Sequence, residues 1–169
     1  MRTPGILTAE EMAFLRELVR GDVRFMVVGL SAAALQGAPA VTQDVDLWFR
    51  DLSDPRIAKA LRAVGGAYVP PIGANPPLFA GEAVELFDVV VAMHGLRSFD
   101  EEYAEALPVR LGDTEVMVLP LDRIVASKKA LDRPKDRLVI PVLEDALAVT
   151  EDRKADAPSR HPTRKRPRR

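Results

Sequence analysis

The chain has no cysteine and only two histidines, His94 and His161, in 169 residues. The first absence excludes a disulfide framework and any thiolate metal centre. The second leaves too few imidazoles for a histidine-based metal site, and Ser31 has no evident histidine base for a hydrolase triad. Aromatic residues are scarce at 5%, with a single tryptophan, Trp48, so base stacking on a row of aromatic faces is not a main theme. Trp48 is expected in the core or at its rim. Long hydrophobic runs are also missing. The longest largely apolar stretch, Phe25 to Leu35, falls well short of the ~20 residues that span a bilayer. Met1-Arg-Thr-Pro-Gly is not followed by the apolar segment of a secretory signal. These features predict a cytoplasmic protein with no membrane association.

What is present suffices for one packed domain. Hydrophobic residues make up 47% of the chain and charged residues 29%. The net charge of −1 hides an asymmetry. From Arg153 to Arg169 eight Lys/Arg face one acid, Asp156, which leaves a balance of −8 on the rest. The end is also rich in proline and nearly devoid of apolar residues. It therefore reads as a disordered basic tail over 151–169 behind a domain spanning 1–150. Such a tail can attract RNA, for instance tRNA, through its phosphates without reading sequence.

Local signals predict the elements. Thr8-Ala-Glu-Glu11 has capping-box spacing and opens a helix ending near Gly21. Arg24–Val28 is a strand apolar on both faces, as a central strand would be. A short Ala-rich helix follows from Ser31 to Gln36, then a strand from Val45 to Phe49. Asp54-Pro55 caps a helix that runs to Gly65-Gly66. The proline-rich segment 70–77 is a loop. Val84–Met93 is β-prone, and Ser98-Phe-Asp-Glu101 opens a helix to about Leu107. Val109–Leu111 and Glu115–Leu119 form a hairpin around Gly112-Asp113. Helices cover Asp122–Leu131 and Lys135–Thr150, with a break at Arg133-Pro134. This order describes an α/β (α+β) protein, a mixed β-sheet flanked by helices, with a C-terminal helical segment beginning near 121.

Two acids carry the functional signal. Asp44 and Asp46 stand two apart at the start of a strand, so both side chains leave one face. Burying two like charges is costly unless a cation joins them. Asp88, set between Phe87 and three valines, has the same need and would complete a three-carboxylate cage on a neighbouring strand. Oxygen-only ligands suit Mg²⁺ or Mn²⁺. Asp88 or Asp46 could also take a proton from an attacking hydroxyl. Gly29 and Ser31 lie where a strand turns into a helix, a turn suited to a phosphate. The cluster Lys128/Lys129/Arg133/Lys135/Arg137 reads either as an ordinary helix face or as a nucleic-acid patch.

Val27-Val-Gly-Leu-Ser-Ala-Ala-Ala-Leu-Gln-Gly37, then Thr42-Gln-Asp-Val-Asp-Leu47 and the later Asp88, resemble the minimal nucleotidyltransferases of the polymerase-β superfamily. The segment Leu121-Asp-Arg-Ile-Val-Ala-Ser-Lys-Lys-Ala-Leu-Asp-Arg-Pro-Lys-Asp136 is similar to the AbiEii-like branch, so the resemblance spans about Arg24 to Leu147. It implies a nucleotidyltransferase fold that moves an NMP from an NTP to an acceptor, which could be RNA, tRNA, a protein or a small molecule. A toxin–antitoxin or defence setting follows from the branch. Asp44, Asp46 and Asp88 would bind metal and, with Lys128, be catalytic. Gly29, Ser31, Lys128 and Asp136 would be nucleotide-binding, with Asp136 partnering Lys128. The pattern departs at Leu30, in place of a second Gly or Ser, and at Gln36 and Ala40, where many relatives carry His and Arg. Those departures support the alternative of a weak or inactive family member acting as a nucleotide-, RNA- or partner-binding module.

Overall fold

The computed structural model describes residues 7–155. The chain folds as α1 (Ala9–Arg20), β1 (Phe25–Val28), α2 (Gly29–Leu35), β2 (Val45–Phe49), α3 (Pro55–Ala63), β3 (Ala67–Val69) and β4 (Leu78–Ala80). A 3-10 turn at Glu82–Val84 precedes β5 (Phe87–Val90), α4 (Phe99–Ala104), β6 (Leu107–Leu111), β7 (Thr114–Val118), α5 (Leu121–Leu131) and α6 (Pro134–Ala155).

Helix starts follow their local chemistry. Glu11 N–H donates to Thr8 Oγ1 while Thr8 N–H donates to Glu11 Oε2, closing the capping box of α1. Ser98 and Glu101 repeat it at α4. Asp54 accepts from Arg56 N–H, and Pro55 occupies the first position of α3, where its missing N–H costs nothing.

Five strands form one sheet in the order β5-β2-β1-β7-β6. β1 runs antiparallel to β2 and parallel to β7; β2 runs parallel to β5, and β6 antiparallel to β7. β1 is central and buried along its whole length, as its two-sided apolar sequence requires. α1 packs on α3, while α2 packs on α5 and α5 on α6. An aromatic cluster ties the first group to the sheet. Phe14 of α1 meets Phe79 of β4 at 5.5 Å and Phe87 of β5 at 5.2 Å, while Phe49 meets Phe79 at 5.7 Å. Trp48 is buried edge-on against Phe99 at 5.2 Å, which makes it a core residue.

Four elements differ locally from those expected. The segment 70–77 is indeed a connection, but it joins a small antiparallel pair, β3 and β4, whose three-residue strands are too short to show a period. The β-prone stretch Val84–Met93 is strand only over Phe87–Val90, the part that β2 can pair. β6 begins before Pro108, which an edge strand tolerates because its outward N–H has no partner to lose. At the C-terminus, α6 continues past Thr150 to Ala155 in spite of Pro141 in its interior. The remainder of the expected tail, 156–169, lies outside the described residues. No described helix is long and apolar enough to cross a membrane.

Candidate active site

The site begins at the junction of β1 and α2. Gly29 opens α2 with φ +65°, a conformation that favours glycine. A Cβ there would overlap the Asp46 carboxylate, so the absent side chain makes room for Asp46 on the adjoining strand. Asp46 faces Val28 across the β1/β2 ladder. Its backbone N–H donates to Ser31 Oγ at 3.2 Å, and Ser31 Oγ–H donates to the Val28 carbonyl at 2.8 Å. The buried Ser31 hydroxyl thus clamps the end of β1 to the Asp46 strand, and its proton is already committed there.

The parallel β2/β5 register sets Asp46 directly beside Asp88. Asp44 comes just before β2, at an exposed bend where Thr42 Oγ1 accepts from its N–H at 3.3 Å. Burial raises the Asp46 pKa to about 6, with Asp88 and Asp44 pushing the same way and Lys128 and Lys135 opposing. Asp88 is also raised, by burial and then by Asp44. The strands thus bring the acids together as expected, yet the cage is not closed. Among the described residues, no three carboxylate or imidazole side chains are grouped tightly enough to hold one ion. Asp44 and Asp88 are exposed, and like charges with freedom to move stand apart.

Across a cleft from Asp46 lies a cationic wall. Val28, Gly29, Asp46, Lys128 and Arg133 line a cleft of about 310 Å³. Lys128 of α5 donates from Nζ to Asp136 Oδ1 at 3.2 Å. Arg133, in the break between α5 and α6, donates from Nε to Asp136 Oδ2 at 2.6 Å and from its terminal nitrogen to Oδ1 at 3.1 Å. Asp136 is 1% exposed. The Arg133 hydrogen bond, followed by that of Lys128, overcomes its burial and lowers its pKa to about 2. Asp136 therefore pairs with Lys128 as expected, from beneath the surface, and acts by holding two cations. The sequence placed Arg133 only within a basic cluster and gave it no role in the site. Only the αL turn at Asp132, with φ 48°, swings it back towards Asp136 and the cleft.

Two departures from the family pattern acquire structural partners. Gln36 Nε2 donates to the Ala32 and Leu119 carbonyls at 2.9 Å each, and its Oε1 accepts from Leu121 N–H at 3.0 Å. It thereby caps α5, whose own N-cap, Pro120, has no side-chain cap bond. Ala40 is 7% exposed and belongs to the core.

No protein-family model matches the chain, and no curated protein sequence matches it. Solved structures do. A crystal structure of ANT(2″)-Ia in complex with adenylyl-2″-tobramycin superposes with a TM-score of 0.54 at 13% identity, covering 88% of this chain and 94% of that one. A solution structure of ANT(2″)-Ia, described as an antibiotic-resistance factor with substrate-regulated conformation dynamics, gives 0.52 at 15% identity, covering 86% and 91%. The likeness is one of fold: the five-stranded mixed sheet with its six helices is of the nucleotidyltransferase type.

Proposed function

We propose that this chain is a metal-dependent nucleotidyltransferase that moves an NMP from an NTP to an acceptor hydroxyl, with release of pyrophosphate. One observation carries the reading: Asp46, the register partner of Asp88, lines a cleft together with Lys128 and Arg133. A carboxylate with an acidic neighbour, set across a cleft from two cations, suits a metal-bound triphosphate better than a neutral ligand.

The donor set fits Mg²⁺ or Mn²⁺ in kind. It is oxygen only, and the Asp46 charge is opposed by two neighbouring acids rather than offset by them. Asp44, Asp46 and Asp88 would hold the ion, which when bound neutralises charge on the triphosphate oxygens. Lys128 and Arg133 hold the phosphates, while Gly29 and Ser31 keep the β1–α2 turn in place. Asp88, at the exposed side, takes the proton of the attacking hydroxyl. An oxygen–phosphorus bond forms at the α-phosphate as the bond to the β-phosphate bridging oxygen breaks, and pyrophosphate leaves with the electron pair.

The adenylylated tobramycin bound to ANT(2″)-Ia supports a hydroxyl-bearing small molecule as acceptor. An RNA acceptor drawn by the basic tail, and an AbiEii-like toxin–antitoxin setting, rest on sequence alone. A second reading, a nucleotide-binding module with little turnover, is favoured by Gln36 and Ala40, whose structural duties leave no His or Arg at those positions for phosphate. Titration calorimetry with Mn²⁺ and a non-hydrolysable NTP, followed by pyrophosphate release across acceptor classes, separates the two. Binding with release supports the enzyme, and binding alone supports the module. No metal-dependent nucleotide binding, or binding unchanged in Asp46→Asn/Asp88→Asn, refutes both.

A further inference from the structure

Residues 91–98 join β5, which carries Asp88, to α4. This connection is held at two points. Gly95, with φ +70°, lies so close to α5 that a Cβ would overlap Ala130 Cβ and come within 3.5 Å of the Ala126 carbonyl. Two residues on, Arg97 donates its backbone N–H and its Nε to the buried Glu102 at 3.0 and 3.2 Å. Beside these anchors stands His94, which lines the same cleft as Gly29, Asp46 and Lys128. The residue is exposed, and no described residue hydrogen-bonds its imidazole. A fixed backbone thus presents an unengaged imidazole to the cleft.

The position also says which part of a ligand it meets. Lys128 and Arg133 are the cleft's cations and suit phosphate. The chain leading into His94 gives the cleft apolar lining, Val90 and Met93, which suits a base or sugar rather than a triphosphate. The ring nitrogens of an imidazole can hydrogen-bond a hydroxyl or a nucleobase edge.

We propose that His94 contacts the nucleoside half of the bound nucleotide and orients it in the cleft, an inference that rests on the nucleotide-binding reading above. The test exploits the scarcity of histidine. With ¹⁵N-histidine labelling the chain gives two sets of imidazole signals, one per histidine, and His161→Gln assigns them. Mg²⁺ with a non-hydrolysable nucleoside triphosphate should shift the His94 resonances saturably, and Mg²⁺ with inorganic tripolyphosphate should shift them far less. His94→Ala should weaken nucleotide binding by about tenfold, the loss of roughly one good hydrogen bond, with tripolyphosphate affinity unchanged and partial recovery in His94→Asn. If the wild type binds neither ligand, the nucleotide reading itself falls and this inference with it. If the nucleotide binds but His94 does not respond, or if His94→Ala weakens both ligands alike, the inference is overturned while the nucleotide site stands.

Discussion

Glu102→Gln is the sharpest test of how the cleft is held. The Glu102 side chain is 0% exposed. It accepts from Arg123 of α5 at 2.7 Å and 2.9 Å and from Arg97 at 3.2 Å. It therefore ties α4 both to the helix that bears Lys128 and to the connection that bears His94. The Arg123 hydrogen bonds outweigh the burial penalty and, with Arg97, lower the Glu102 pKa from 4.5 to about 2. At roughly 1.4 kcal/mol per unit, that shift corresponds to about 3 kcal/mol of folding free energy. Because the folded-state pKa is the lower one, this contribution is complete above pH 4.5 and disappears as pH falls towards 2. Gln keeps the shape and loses the charge, so at neutral pH the variant should be less stable by about 3 kcal/mol. Urea unfolding of both proteins, followed by circular dichroism from neutral pH down to about pH 2, where the paired Glu102 titrates, measures the gap directly. The two curves should converge at the acid end. A difference within about 0.5 kcal/mol at neutral pH, or one that persists undiminished in acid, would refute the charge-based account.

Gly29→Ala places a side chain at positive φ, costing about 1 kcal/mol, and displaces the Asp46 carboxylate; Mn²⁺ affinity measured by calorimetry should fall by more than this stability loss accounts for. Gln36→Ala removes two hydrogen bonds between the end of α2 and the start of α5, and a third back to Ala32 within α2. It should cost about 2 kcal/mol in guanidinium unfolding, taking net hydrogen-bond values near 1 kcal/mol with partial rescue by water. Asp136→Asn should cost about 2 kcal/mol above pH 4, since the Asp136 pKa is held at about 2, and should also weaken triphosphate binding. Lys128→Ala should weaken triphosphate binding as well, and comparing the two by calorimetry separates loss of a phosphate contact from loss of its support.

Much of this molecule was legible because its signals are local. The two capping boxes, Asp54-Pro55 and the apolar run Val45–Phe49 each involve neighbours in the chain, and each element appeared where those neighbours placed it. The pairing of Asp46 with Asp88 was legible less directly, as two apolar strands each carrying an acid that needed a reason. Arg133 and Gln36 were harder to read. The importance of Arg133 depends on one left-handed residue, Asp132, and that of Gln36 on backbone groups more than eighty positions away. Ser31 shows the opposite limit. Its location at the turn was evident, but only the structure reveals that its hydroxyl is spent between Val28 and Asp46.

By itself the sequence determined which side chains could do chemistry and where the capped helices begin, because composition and capping are short-range properties. Tertiary structure decided which of those side chains meet. Strand register placed Asp46 beside Asp88, the close approach at Gly29 made room for the Asp46 carboxylate, and the buried Asp136 aligned Lys128 with Arg133. Such meetings arise from packing between residues far apart in the chain, where no local pattern records the distance.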